Sequence, residues 1–329
     1  MKHINIALFV PHAGCPHQCC FCNQKSISGS TEALKPQEVP AAVETALNGR
    51  EKIDAELAFF GGSFTAIERG YMISLLEQTR PYTENGIISG IRISTRPDAV
   101  DREVLDILKK YGVTSIELGC QSMDDGVLKL SNRGHTAADV ENACALIKEY
   151  GFSLGVQMMT GLPGDTDEKC IETAKKLISL KPDTCRIYPT AVLENTPLAD
   201  MLRNGEYQAQ TTDGAVKLCA VLLKMFCDAD IPVIRLGLHS GGNVEDGYIA
   251  GAYHPAFREL CEGEIFYREI AARVTKNTKT VYVPKGKTSP ATGHGRRNMK
   301  SFEEAGFHFV IREDSTLLRY DIRIDEETK

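Results

Sequence analysis

Three cysteines near the start of the chain, in Gly14-Cys15-Pro16-His17-Gln18-Cys19-Cys20-Phe21-Cys22-Asn23, carry the densest chemistry in its 329 residues. Cys15, Cys19 and Cys22 are spaced C-x3-C-x2-C, with an aromatic residue just before the last. Thiolate sulfur is the usual protein ligand of iron–sulfur clusters, so three thiolates suit three irons of a cubane. The fourth iron is then left for a small molecule. A zinc site is the alternative, with His12 or His17 completing the three thiolates. Zinc sites commonly repeat a C-x2-C pair, and here only Cys19 and Cys22 make one. Pro11, Gly14 and Pro16 interrupt helical continuity, which argues against three core positions on a regular helix. Cys20 fits neither ligand pattern and reads as a buried thiol pointing away.

These residues need a scaffold, and the chain is long enough to form one barrel-sized domain or two smaller ones. A hydrophobic content of 42% and a charged content of 25% place it among ordinary globular proteins. The apolar run Ile4 to Val10 is too short for a membrane span and lacks a signal cleavage pattern, so a cytoplasmic location is expected. The eleven cysteines are odd in number and scattered singly after Cys22, which argues against a secreted disulfide framework. A net charge of −6 gives no whole-molecule attraction to nucleic acid, although a local patch could still supply it.

Apolar runs alternate with amphipathic stretches along most of the chain. Strands are expected at Ile4–Pro11, Glu56–Gly61, Gly90–Thr95, Ser115–Gly119, Ser153–Met159, Thr184–Tyr188 and Pro232–Leu238. Helical patterns fill the gaps, which predicts parallel βα units. The fold class is therefore α/β, a partial (β/α)6-type barrel with ligands at the C-terminal strand ends. The expected division is a barrel over 1–240 and a small C-terminal α+β domain over 241–329. In that second part a helix is expected at Pro255–Val274, and Phe307–Arg312 is expected to form a hairpin with Leu317–Ile324. Pro284-Lys285-Gly286-Lys287-Thr288 looks like the end of a phosphate-binding loop, but Val281 occupies the first required glycine position, which rejects that reading.

Further strings sit at the strand ends. They are Phe60-Gly61-Gly62-Ser63-Phe64-Thr65, Ser94-Thr95-Arg96-Pro97-Asp98, Glu117-Leu118-Gly119-Cys120-Gln121-Ser122 and Ser131-Asn132-Arg133-Gly134-His135-Thr136. Val156-Gln157-Met158-Met159 and Arg186-Ile187-Tyr188-Pro189-Thr190 follow in order. With the cysteines, they make the sequence resemble the radical S-adenosylmethionine superfamily over roughly residues 4 to 200. Within it, the sequence is similar to the radical domain of the elongator catalytic subunit and bacterial relatives lacking the acetyltransferase domain. Oxygen-independent coproporphyrinogen oxidases share part of the pattern.

The resemblance implies a 4Fe–4S cluster on Cys15, Cys19 and Cys22, with S-adenosylmethionine on its open iron. It implies cleavage of that nucleotide to a 5′-deoxyadenosyl radical, driven by an external electron donor of flavodoxin or ferredoxin type. Phe21 would pack near the adenine, and Gly61 and Gly62 would let the backbone at Ser63 meet the methionine amino group. Gln121 suits the ribose or carboxylate, and Arg133 offers a forked partner for the carboxylate. Gln157 matches a ribose contact of the porphyrin-pathway relatives. Ser94 stands where those relatives carry an acidic residue, and Ser63 where many superfamily members carry Glu. The alternatives for Arg133 and Gln157 are a surface ion pair and a satisfied core amide.

By the same resemblance the leading substrate is a tRNA wobble uridine. The alternatives are a porphyrin-like small molecule and a non-catalytic iron–sulfur or zinc RNA-binding protein. The chain ends before an acetyltransferase domain, so acetyl-CoA chemistry is not carried over. Arg273, Lys276, Lys279, Lys285, Lys287, Arg296, Arg297 and Lys300 form a run without Asp or Glu. Such a segment, 273–300, is of the kind that tracks a phosphate backbone and would hold tRNA. A solvated basic loop is the alternative.

Overall fold

The computed structural model describes residues 4–10, 15, 18–22, 33–50, 54–238 and 245–326. Seven parallel strands form one sheet in the order β1-β2-β3-β4-β5-β6-β8. They are β1 Ile4–Phe9, β2 Ala55–Phe60, β3 Gly90–Thr95, β4 Val113–Gln121, β5 Ser153–Thr160, β6 Thr184–Pro189 and β8 Val233–Leu236. The order follows the chain, each βα unit adding its strand beside the last, and the architecture is the expected partial barrel. Each expected strand is present, and β4 runs two residues longer at each end than its apolar run suggests.

Helices cover one face of the sheet. The helix Arg102–Lys110 illustrates why they form: Asp101 caps it by accepting from the Val104 amide at 2.8 Å, and Lys109 and Lys110 complement its last turn. Its buried stripe of Val104, Leu105 and Leu108 faces the sheet. On β3 the outward side chains Ile91, Ile93 and Thr95 are buried, whereas Arg92 and Ser94 alternate onto the concave face and stay partly open. That alternation decides which side chains can reach a ligand.

Beyond β6, β7 (Ala191–Leu193) pairs antiparallel with β9 (Tyr248–Gly251). The helix Phe257–Ala271 then packs on Thr212–Asp228, and a small α+β domain follows. Its sheet differs from the expected hairpin. The apolar strand β10 (Thr278–Val283) lies in the middle, parallel to β11 (Val310–Glu313) and antiparallel to β12 (Arg323–Glu326). Val281 and Val283 are fully buried, so the apolar strand takes the centre and the two exposed polar strands take the edges. One hydrophobic cluster runs from Ile6 through to Ile322. No helix among the described residues is long and apolar enough to cross a membrane.

Candidate functional site

The cysteine segment is held at the C-terminal rim of the sheet by one short loop and by the Leu198 amide, which donates to the Cys20 carbonyl at 2.8 Å. Ser131, Asn132 and Arg133 follow the helix Asp125–Leu130, and each grips a different residue of the segment. The Ser131 carbonyl accepts from the Cys20 amide at 3.1 Å, and Asn132 donates its side-chain amide to the Gln18 carbonyl at 2.7 Å. Arg133 Nη1 donates to Cys19 Sγ at 3.3 Å. The Cys22 amide bonds to the Cys19 carbonyl at 3.1 Å, which turns the segment so that Cys19 is buried while Cys15 and Cys22 are half-buried.

Cys20 points away as expected. It packs with Val192, Leu198 and Ala199, and burial pushes its thiol up to about 11. Phe21 packs against the same small cluster. Burial also raises the Cys15 thiol, opposed by the nearby Arg96 guanidinium. Arg96 in turn pairs with Asp98 at 2.6 Å. Sequence reasoning assigned no role to Arg96, Ser131 or Asn132, although all three stand inside the strings singled out.

The glycine turn after β2 is as tight as its residues allow. Gly61 and Gly62 have φ of +83° and +55°, and a Cβ at Gly61 would lie 3.3 Å from the Val10 carbonyl oxygen. Ser63 is fully buried; its hydroxyl bonds Thr95 Oγ1 at 2.8 Å and accepts from the Arg96 amide at 3.2 Å. Its hydroxyl is committed, and its carbonyl also accepts from the Ala66 amide at 3.0 Å. Ser94 Oγ is buried without a hydrogen-bond partner.

Gln121 sits in a conformation rare for a side-chain-bearing residue. Its φ is +66°, and the Ser122 amide bonds back to the Cys120 carbonyl at 2.9 Å, closing a three-residue γ-turn at a bulge in β4. His135 Nε2 lies 3.0 Å from the same carbonyl and fixes the strained turn from below. Burial, with the charge of Arg133, pushes the His135 imidazole down to about 4, so it is the neutral ring that donates there. The turn leaves Gln121 Oε1 buried with no partner. Arg133 Nη2 donates to the Gly119 carbonyl at 2.6 Å, its Nε has no partner, and it forms no ion pair among the described residues.

Deeper on the concave face, Glu117 is 1% exposed and collects three donors. Arg92 Nη1 and Arg186 Nη2 both reach its Oε1 at 2.7 Å, and Gln157 Nε2 reaches its Oε2 at 3.0 Å. Arg92 also pairs with Glu56 at 2.6 Å. Gly155 stands opposite, where a Cβ would come within 2.9 Å of Glu117 Cγ. Gln157 thus stands on the same face as Glu117, with its amide nitrogen engaged as the satisfied-amide alternative has it.

The basic run is less cationic in three dimensions than in sequence. Arg273 pairs with Glu269 at 2.8 Å, Lys287 with Glu262 at 2.7 Å, Arg296 with Glu303 at 3.2 Å and Arg297 with Asp213 at 3.2 Å. The acids absent from the run come from neighbouring elements.

All eleven cysteines are outside disulfides, and among the described residues no three His, Cys, Asp or Glu side chains are gathered closely enough to hold a metal ion. His12 and His17 lie outside the described residues. The donor set nonetheless fits a thiolate-held iron cluster: Cys15 lies beside the Arg96 guanidinium, and Cys19 Sγ accepts from Arg133 at 3.3 Å. Next to them are the unpartnered polar atoms of Ser94, Gln121 and Arg133. Buried polar groups are normally satisfied, so these mark where a polar ligand belongs.

Comparison with known proteins agrees. The family model described as the Radical SAM superfamily matches residues 9–177, just over half of the chain, and that described as the Radical_SAM C-terminal domain matches 182–266. A tRNA uridine(34) acetyltransferase from Dehalococcoides mccartyi is 27% identical over 238 residues, 61% of this chain and 52% of that protein. Elongator complex protein 3 from Saccharomyces cerevisiae is 32% identical over 165 residues, 46% of this chain and 30% of its own length. The chain therefore spans about half or less of the length of these curated relatives. The solved structure of the archaeal Methanocaldococcus infernus Elp3 superposes with a TM-score of 0.62 at 20% identity, covering 84% of this chain and 70% of that one, and so shares its fold.

Proposed function

This chain is an enzyme of the radical SAM superfamily, and we propose that it acts on tRNA, at a wobble uridine, in the cytoplasm. Enzymes of this family use a 4Fe–4S cluster and S-adenosylmethionine. When bound, that pair supplies reductive cleavage of the nucleotide to a 5′-deoxyadenosyl radical that takes hydrogen from a substrate. Cys15, Cys19 and Cys22 would hold the cluster. Arg133 would meet a carboxylate through Nε, the one guanidinium nitrogen with no internal acceptor, and Gln121 would meet the ribose or carboxylate. The backbone of Gly61 to Ser63 would receive the amino group, with Ser94 and Gln157 below it. Phe21 would shield the cluster from the side of its small apolar cluster. A flavodoxin- or ferredoxin-type donor would supply the electron.

The single observation that carries this reading is the triple grip of Ser131, Asn132 and Arg133 on the cysteine segment, beside the unpartnered Gln121. It supports one site in which thiolates and nucleotide ligands are neighbours. The choice of wobble uridine is supported by the names of the relatives. Digested tRNA from cells lacking the gene should lose a modified uridine that returns with the parent gene and not with Cys19→Ala. An unchanged nucleoside profile would overturn the tRNA reading.

A further inference from the structure

The residues assigned to the nucleotide stand on β1 to β5 or in the loops after them. The other half of the concave face, on β6 and β8, carries polar groups that nothing above assigns. Register places Arg186 of β6 opposite Arg235 of β8, and Tyr188 two residues further along β6, towards the C-terminal rim. Arg186 spends one nitrogen on Glu117, while its Nε is buried with no partner. Its guanidinium lies 5.6 Å from the centre of the Phe60 ring, and Phe9 stands 6.2 Å beyond Phe60. Arg235 donates Nε to the Gly237 carbonyl at 3.1 Å and has no carboxylate partner among the described residues.

The charges do not close. Arg92, Arg186 and Arg235 face only Glu56 and Glu117, and both acids are already engaged. Burial raises the Tyr188 phenol, while the charges of Arg186 and Arg235 pull it down, so both cations lie within its field. Arg235 also lines a cavity of about 660 Å³ that runs from the end of β8 to Arg258 and Ser289. Of the two acids lining that cavity, Glu262 is paired with Arg258 and Lys287, and Glu259 lies 3.6 Å from His294 Nδ1. A guanidinium left uncompensated beside a phenol and an aromatic wall is a receptor for a planar or tetrahedral oxyanion.

The geometry points to an anion subsite on Arg186, Tyr188 and Arg235, which seats a phosphate or carboxylate group of the substrate across from the nucleotide. It rests on the assignment of β1 to β5 to the nucleotide. The subsite accounts for Arg235, which stands beside Arg186 in register and has no carboxylate partner among the described residues.

The test uses the reconstituted enzyme with S-adenosylmethionine, in chloride, inorganic phosphate or acetate at fixed ionic strength. Thermal midpoints are compared for the parent, Arg235→Ala and Arg235→Lys. Anions excluded from the surface raise every variant alike, so the quantity of interest is the saturable difference. The parent should gain about 2 °C over Arg235→Ala in phosphate or acetate, as expected for ligand occupancy well above its dissociation constant. Arg235→Lys should keep part of the gain. A response to phosphate alone assigns a phosphate, and a response to acetate alone assigns a carboxylate. Equal midpoint rises in parent and Arg235→Ala overturn the subsite. In parallel, parent enzyme that forms no 5′-deoxyadenosine on reduction contradicts the nucleotide assignment, a result independent of the anion response.

Discussion

Two regions of this molecule concentrate positive charge, and they behave in opposite ways. The segment 273–300 gathers eight cations with no acid among them, yet Glu269, Glu262, Glu303 and Asp213 reach in from other elements to pair half of them. The concave face draws Arg92, Arg186 and Arg235 from three strands, and a rim loop adds Arg133; in sequence they are spread over 144 residues, where no run is visible. There Arg133 and Arg186 keep buried nitrogens without partners, and Arg235 has no carboxylate among the described residues. A charge run on a surface is screened and compensated by whatever folds beside it. Charges placed by strand register in a narrow lumen are compensated only by what the strands themselves carry. Unmet capacity, not charge count, distinguishes a ligand-binding region from a solvated one.

The sharpest way to break this contrast is through stability. Glu117→Ala strips the shared acceptor from Arg92, Arg186 and Gln157, and should cost about 3–5 kcal/mol in urea unfolding, as breaking a buried ion pair does. Asp213→Ala removes the partner of exposed Arg297 and should cost less than about 1 kcal/mol. Equal costs would erase the distinction between the two regions.

A smaller effect separates ligand binding from scaffolding at the rim. Arg133→Ala should weaken S-adenosylmethionine binding by about 1.5–3 kcal/mol, since a charge-assisted bond is lost. Ser131 and Asn132 still grip the cysteine segment in that variant, so cluster absorbance should persist. Unchanged nucleotide affinity would make Arg133 a structural clamp alone. His135→Phe, which releases the Cys120 carbonyl under Gln121, should weaken binding about tenfold, with partial rescue by His135→Gln; parent-like affinity for His135→Phe would show that the γ-turn holds itself.

The smallest effect belongs to the basic run. Neutralising Lys285, Lys287, Arg296 and Arg297 together should lower the slope of log affinity for tRNA against log salt by about one, not four, because three of these residues are already paired. A drop near four would mean that tRNA displaces those acids and that the segment is the main RNA contact.

Much of the fold was legible because apolar runs of strand length alternate with amphipathic helices, and every strand of the main sheet was placed. The C-terminal sheet was misread as a hairpin because nearness in sequence was allowed to outweigh burial; the apolar β10 claims the centre. At the site, spacing and residue type singled out the cysteines, Gly61, Gln121 and Arg133, and the family resemblance supplied the roles proposed for them. They did not reveal that Arg133 also touches Cys19, that Asn132 holds Gln18, or that Ser63 spends its hydroxyl internally, because each depends on a contact between residues distant in sequence. The cluster of lumen arginines could not be found from a linear charge count, since register alone brings them together. The alternation of Arg186 and Tyr188 in β6 was its one visible trace.

The central claim is that Cys15, Cys19 and Cys22, and not Cys20, prepare this rim for radical chemistry. Anaerobic reconstitution with iron and sulfide, followed by reduction with S-adenosylmethionine and quantitation of 5′-deoxyadenosine, tests it directly. The parent and Cys20→Ala should show iron–sulfur absorbance and form the product, whereas Cys15→Ala, Cys19→Ala and Cys22→Ala should lose one or both. A Cys19→Ala enzyme that keeps its cluster and its turnover, beside a Cys20→Ala enzyme that loses them, would contradict the account.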